Sequence, residues 1–365
     1  MTVASGAIPG VDEALQARVA EGVEAVARRL EEVVDHDDPF IAGASGHLVA
    51  AGGKRFRPLL TLLASEVGEG WNDQVVDAAV GVELTHLASL YHDDVMDEAD
   101  LRRGVASANA AYGNSTAILV GDLLFGTASA VVANLGAEAV KIQAQTFVRL
   151  CAGQIRDDLQ IAASANGAQA EGEPTAPPGS PTSSVADGEE ASPLTGDADD
   201  PAAVTAYLGI LADKTGALIA TAARYGGMFG GCDEATIGTL TEYGEKLGIV
   251  FQLADDLLDV ASDTSGKTPG TDLREGKATL PVLYARTSDD PADARLLELT
   301  RGPIEDPGEL DEALGLLRAH RAMGQAQEHT QRIADEARAL LDGLPQSPAT
   351  DSLRALVDGV AQRSA

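Results

Sequence analysis

His86-Leu-Ala-Ser-Leu-Tyr-His-Asp-Asp-Val-Met-Asp97 closes an apolar, helix-compatible run with three carboxylates at i, i+1 and i+4. At 3.6 residues per turn, Asp93 and Asp97 fall on one helix face and Asp94 stands about 100° round. Carboxylate oxygens on such a face suit a hard cation such as Mg²⁺, which keeps waters and is completed by substrate phosphates rather than by a closed protein cage. Acid pairs at helix ends are also common on solvated surfaces. What separates the two readings is a second copy: Phe251-Gln-Leu-Ala-Asp255-Asp256-Leu-Leu-Asp259 repeats the spacing, again after an apolar run. If the two helices face each other, their carboxylates can hold a cluster of cations, and such a cluster binds a diphosphate.

The composition fits a cytoplasmic enzyme better than a nucleic-acid or membrane protein. The 365 residues allow one large or two ordinary domains, and 44% hydrophobic residues are ample for a core. Aromatics are only 4%, so Leu, Val and Ala must do the packing. A formal net charge of -31 argues against nucleic acid or an anionic membrane as partner, because both need basic patches. It leaves room for an anionic substrate gripped locally by Lys, Arg and metal. Cys151 and Cys232 offer no disulfide framework, and no basic-then-apolar leader is recognisable. The apolar run Thr116 to Leu135 is long enough for a membrane span, but it contains Asp122 and is expected as a buried core helix, with no membrane anchor in the chain.

From about Val11 to Asp35, apolar residues at helical spacing predict an amphipathic opening helix. Gly52-Gly-Lys-Arg-Phe-Arg-Pro58 then crowds three cations at a helix start, which suits an oxyanion as well as a solvated turn. The helical pattern returns from Asp73 to Asp97, with His86 seven residues before Asp93 and so on nearly the same face. Arg102-Arg103-Gly104 places two guanidiniums just beyond the triad, where forked donors can grip phosphate. Helices follow to Leu159, broken near Gly113 and Gly136. About Ala163 to Pro201 the chain lacks Lys, Arg and aromatics and is rich in Pro, Ser, Ala and acid, so it is expected as a disordered insert within one domain of 365 residues.

Asp213-Lys214-Thr215-Gly216 puts a cation and a hydroxyl inside an apolar helix, where a Lys needs an anionic partner. The second triad ends a helix from about Ala235, and a Gly-rich loop with Lys267 and Lys277 follows it, suited to closing over phosphates. The chain shows no strand alternation, no dinucleotide fingerprint and no Walker-type loop.

From about Gly52 to Pro281 these motifs, taken in order, resemble those of the trans-prenyltransferases, the head-to-tail isoprenyl (polyprenyl) diphosphate synthases; the long insert is the departure. The resemblance implies an all-α fold of antiparallel helices around a deep central cavity, usually a homodimer. Lys54, Arg57, His86 and Arg103 would hold the diphosphate of isopentenyl diphosphate. Asp93, Asp97 and Asp255 would bind about three Mg²⁺ ions, with Asp94, Asp256 and Asp259 as further ligands or as partners of the ligands. Arg102, Lys214, Gln252 and Lys267, with Thr215 and Lys277 helping, would hold the allylic diphosphate. Of these, Lys214 and Gln252 join Asp93, Asp94, Asp97, Asp255 and Asp256 as the catalytic set.

The chemistry of the residues agrees. A diphosphate leaves a primary allylic carbon only if its developing charge is neutralised, which metal ions, Lys and Arg can do.

In that family, bulky residues four and five positions before the first motif stop growth early. Here those positions are Ser89 and Ala88, with Thr85 one turn further back. The resemblance therefore implies an open floor and a product of about C30 to C50, of the kind that becomes a quinone side chain. Ala88→Phe is expected to shorten it. The competing readings are a short-chain geranylgeranyl or farnesyl diphosphate synthase, a class I terpene cyclase, and a non-catalytic partner subunit. Both triads being complete speaks against the last two. A long hydrocarbon product would also bring transient membrane contact on release.

Overall fold

The computed structural model describes residues 12–166, 201–261 and 269–364. They fold as α1 (Glu13–Val34), α2 (Pro39–Ala50), α3 (Phe56–Ser65), α4 (Asp73–Met96), a two-residue hairpin β1 (Leu101–Arg102) and β2 (Val105–Ala106), α5 (Ala108–Tyr112), α6 (Asn114–Ala133), α7 (Ala137–Asn166), α8 (Ala202–Leu211), a π-helical turn (Ala212–Gly216), α9 (Ala217–Phe229), α10 (Glu234–Ala261), α11 (Thr271–Glu275), α12 (Leu280–Ala285), α13 (Ala294–Leu299), α14 (Pro307–Ala319), α15 (Arg321–Leu340) and α16 (Pro348–Ala361). The fold is all-α, and the hairpin is the only sheet among the described residues.

The helices divide into two compact units. The first holds the chain to Ala152, Asp213–Phe251 and Gln331–Gln362; the second holds Gly153–Ala212 and Gln252–Thr330. In the first unit α4 is the central element. From Val75 to Leu84 nearly every side chain is buried, so the helix is apolar around its circumference and packs on α1, α3, α6 and α9. Leu30, Leu48, Leu84, Leu87, Tyr91 and Leu124 meet in one cluster, each buried leucine contributing about 1.5–3 kcal/mol. Local chemistry sets the edges: Asp12 accepts the N–H of Leu15, and Asn72 accepts those of Gln74 and Val75. In the second unit α12 packs on α8 and α14, and α13 on α14.

Three expectations change. The run read as a buried core helix is α6, buried along Ala117, Val120, Leu124, Ala128 and Val131 against α4, but Ile118, Leu119 and Leu123 on its other side are exposed, Leu119 to 67%. One helix face can meet α4, and the residues opposite it are equally apolar. The α6 helix and the span Ala202–Phe229 are each long and apolar enough to cross a bilayer. The stretch expected as insert begins inside α7, whose helix-favouring alanines carry it to Asn166, and ends at Pro201, the N-cap of α8; residues 167–200 lie outside the described residues. Lys214 and Thr215, expected within a continuous helix, sit instead in the π-helical turn.

Candidate active site

The first triad ends α4. Asp97 is its C-cap, donating its N–H to the Asp93 carbonyl at 2.8 Å. The three carboxylates have different surroundings. Asp94 is fully buried and satisfied twice, by Arg102 Nε at 2.6 Å and the Ala108 N–H at 2.9 Å. Asp97 is exposed and 3.7 Å from Arg102 Nη2. Asp93 is half-buried, and its side chain has no hydrogen bond or ion pair among the described residues. Burial pushes the Asp93 carboxyl up to about 6, opposed by Lys214 and reinforced by Asp97.

Arg102 reaches Asp94 because β1 and β2 turn back at once. Arg103 and Gly104 have φ of 54° and 81°, the left-handed pair that a two-residue hairpin loop needs. Arg103 is thereby aimed at Gly52, donating to its carbonyl and, at 3.3 Å, to that of Leu48.

These contacts gather the cations. Arg55, itself left-handed at φ 44°, binds Glu83 at 2.8 Å and the Val49 carbonyl at 2.8 Å. Arg103 Nη2 lies 3.9 Å from the same Glu83 oxygen. Arg57 opens α3 with a buried Nε that has no partner among the described residues; burial lowers its guanidinium to about 10, against the pull of Glu83. His86 is held well below its ordinary value by burial and then by Arg57, Arg103, Arg102 and Arg55, so it is neutral at pH 7. One buried carboxylate, Glu83, among Arg55, Arg57 and Arg103 leaves an excess of positive charge there, a setting that suits a further anion. Lys54 stands exposed beside it.

On the π-helical turn Lys214 is half-buried and Thr215 is buried. The influence of Lys214 on Asp93 places the two in one electrostatic neighbourhood. Thr85 and Ser89 continue the Asp93 face of α4, Thr85 donating to the Gly81 carbonyl and Ser89 to that of His86. Ala88 is fully buried in the core cluster.

In the second unit the other triad repeats the division of labour. Asp256 is buried, accepting from the Tyr207 hydroxyl and from Gln252 Nε2 at 3.2 Å. Burial and then Asp272 raise its carboxyl to about 8. Asp259 accepts the N–H groups of Thr271 at 3.2 Å and Asp272 at 3.0 Å, anchoring the start of α11. Asp255 is half-buried and its side chain has no hydrogen bond among the described residues. Of the residues expected as metal ligands, Asp94, Asp256 and Asp259 are thus engaged with protein. Lys277 pairs with Glu275 at 2.6 Å, and Lys267 lies outside the described residues.

Among the described residues no three carboxylate, imidazole or thiol groups converge to hold a cation alone. An exposed carboxylate and an unpaired, half-buried one on a single face fit Mg²⁺ completed by phosphate and water. Sequence reasoning missed Glu83, Arg149 and Tyr207, and had Arg55 only as one of three cations at the start of α3. Glu83 and Arg149 did carry a signal, a lone charge inside an apolar run, which requires a partner; Tyr207 carried none.

The chain matches the family model for polyprenyl synthetase over residues 38–173 and 181–317, the gap falling in the Pro- and Ser-rich stretch. It is 40% identical to the nonaprenyl diphosphate synthase of Mycobacterium tuberculosis, covering 99% of this chain and 98% of that one. Among solved structures it resembles the geranylgeranyl pyrophosphate synthase of Corynebacterium glutamicum complexed with calcium and isoprenyl diphosphate, at 37% identity, TM-score 0.78, covering 96% and 98% of the two chains. It also resembles a decaprenyl diphosphate synthase from Rhodobacter capsulatus, at 30% identity, TM-score 0.78, covering 97% and 99%. With matches along nearly its whole length, the chain belongs to the polyprenyl synthetase family and is a prenyltransferase.

Proposed function

We propose that the chain is a Mg²⁺-dependent polyprenyl diphosphate synthase that joins isopentenyl diphosphate head to tail onto an allylic diphosphate, giving an all-trans product of about C30 to C50 used as a quinone side chain. The observation that carries the reading is Asp93, a half-buried carboxylate with no hydrogen bond or ion pair of its own among the described residues, within the electrostatic reach of the cations Lys214 and Arg102 and of the carboxylates Asp97 and Asp94. The calcium and isoprenyl diphosphate named with the Corynebacterium glutamicum enzyme support a divalent metal and a diphosphate ligand.

In this reading Asp93, Asp97 and Asp255 hold the metal ions, and Asp94 and Asp256 fix the helix ends that carry them. Bound there, Mg²⁺ supplies charge neutralisation to the departing diphosphate. Lys214, Thr215, Gln252 and Arg102, with Lys267, hold the allylic diphosphate, while Lys54, Arg57, Arg103 and neutral His86 hold that of isopentenyl diphosphate. The allylic C–O bond breaks, its electron pair leaving with the diphosphate. The isopentenyl double bond attacks the resulting cation, and a proton passes to the released diphosphate, so no side-chain base is needed.

Ser89, small and half-buried on the Asp93 face, supports the long product; Thr85, one turn back, is small but buried. A short product is the second reading, favoured by the name of the Corynebacterium glutamicum enzyme. The exposed apolar residues of α6, with Val140, Phe147 and Val148 on α7, support a homodimer, and the free thiols of Cys151 and Cys232 support a cytoplasmic protein. Elongation assayed with and without Mg²⁺, in the wild type and Asp93→Ala, tests the reading: activity that persists in EDTA or survives Asp93→Ala refutes it.

A further inference from the structure

The π-helical turn that carries Lys214 is gripped from two sides by residues outside the motifs. Half-buried Arg149 on α7 donates Nε to the Asp213 carboxylate at 2.8 Å and Nη2 to Glu245 on α10. Asp213 immediately precedes Lys214. The register of α7 is itself fixed along α9, where Thr146 and Thr221 share a hydrogen bond of 2.6 Å and the Tyr225 hydroxyl donates to the Ala139 carbonyl at 2.7 Å. On the other side α10 presses backbone to backbone: a methyl on Gly248 would stand 2.7 Å from the Cα of Gly216, the last residue of the turn. A π turn is rare, poorly favoured on its own, and concentrated at functional sites. Its neighbours must therefore impose it.

We propose that Arg149, acting through Asp213 and together with Glu245, is a positioning residue that holds the π-helical turn so that Lys214 and Thr215 face the allylic diphosphate. One guanidinium between two carboxylates can bind both only in a planar, forked arrangement, which fixes the Asp213 side chain and hence the direction of the next residue. This inference rests on the reading of Lys214 as an allylic-diphosphate ligand.

The test is steady-state kinetics on the full-length protein, varying the allylic diphosphate at saturating isopentenyl diphosphate and the reverse, for Lys214→Ala, Arg149→Gln, Arg149→Lys and Gly248→Ala. Arg149→Gln should raise KM for the allylic diphosphate about 10-fold or more while KM for isopentenyl diphosphate stays within about 2-fold, following Lys214→Ala. The double variant Arg149→Gln/Lys214→Ala should lose little beyond either single one, and Arg149→Lys should recover part of the loss. Gly248→Ala touches no charge and should show the same split; it carries the test should Arg149→Gln not fold. If Lys214→Ala shows the split and neither Arg149→Gln nor Gly248→Ala does, or if both KM values rise together in those two, the inference falls and the reading of Lys214 stands. If Lys214→Ala itself leaves the allylic KM unchanged, both fall.

Discussion

Asp94→Ala separates the carboxylate that builds the first motif from those that serve it. Asp94 is fully buried, with Arg102 Nε at 2.6 Å on one oxygen and the Ala108 N–H at 2.9 Å on the other. Removing it deletes a charge-assisted hydrogen bond, about 1.5–3 kcal/mol, and strands a buried N–H, about 1–3 kcal/mol. Arg102 keeps some solvent and Asp97 at 3.7 Å, so its share lies at the low end. The sum is about 2.5–4.5 kcal/mol, overlapping the range for breaking a buried pair and a large part of an ordinary stability of about 5–15 kcal/mol. Asp97→Ala is the control: its side chain is 54% exposed, and the change should cost under about 1 kcal/mol while still lowering activity. Urea unfolding followed by circular dichroism, with midpoint and slope fitted separately, gives both values. A loss under 1 kcal/mol for Asp94→Ala, or an equal loss for Asp97→Ala, would refute the assignment.

Three other outcomes are expected. Ser89→Phe should shorten the product, because Ser89 lies on the Asp93 face, whereas the Ala88→Phe change would first overpack the core around fully buried Ala88 and cost about 1–3 kcal/mol; an unchanged product length in Ser89→Phe, by mass spectrometry, would defeat the floor argument. The Asp93 carboxyl, raised to about 6 in the folded protein, binds a proton more tightly than in the unfolded chain, where its value is about 3.9. Its contribution to metal-free stability is therefore full below pH 4 and lost as pH rises through about 6. On the proposed reading Mg²⁺ displaces that proton when it binds, so the stabilisation it gives should fade below pH 6; Asp93→Asn should abolish this pH dependence in thermal melts with and without Mg²⁺. Tyr207→Phe removes the hydroxyl partner of buried Asp256 and should cost about 1–3 kcal/mol with no change in the residues proposed to grip isopentenyl diphosphate, which an unaltered KM for that substrate would check.

Much of this was legible because it depends on short-range periodicity. The spacing of Asp93, Asp94 and Asp97 pointed to a helix, and apolar periodicity placed the starts of α1 and α4 within about two residues of where they lie. What escaped were contacts between residues distant in sequence. Nothing local tells Asp94 from Asp93; Arg102 and the Ala108 N–H do, and both depend on the Arg103-Gly104 turn. Likewise Lys214 reads as helical because apolar, helix-compatible residues run up to it and on beyond it, and the π turn appears only with Gly216 against Gly248 and Arg149 on Asp213. The α6 run reads as core on hydrophobicity alone, since apolar residues circle the helix whatever meets its far side. Glu83 and Arg149 were legible in principle, each a charge among apolar neighbours.

The most direct test of the central claim is incubation of the purified protein with Mg²⁺, isopentenyl diphosphate and, separately, geranyl, farnesyl and geranylgeranyl diphosphate, with the dephosphorylated products sized by mass spectrometry. A ladder rising in five-carbon steps to about C30 or beyond is the result expected. No elongation of any primer, or a cyclic hydrocarbon in its place, would contradict the account.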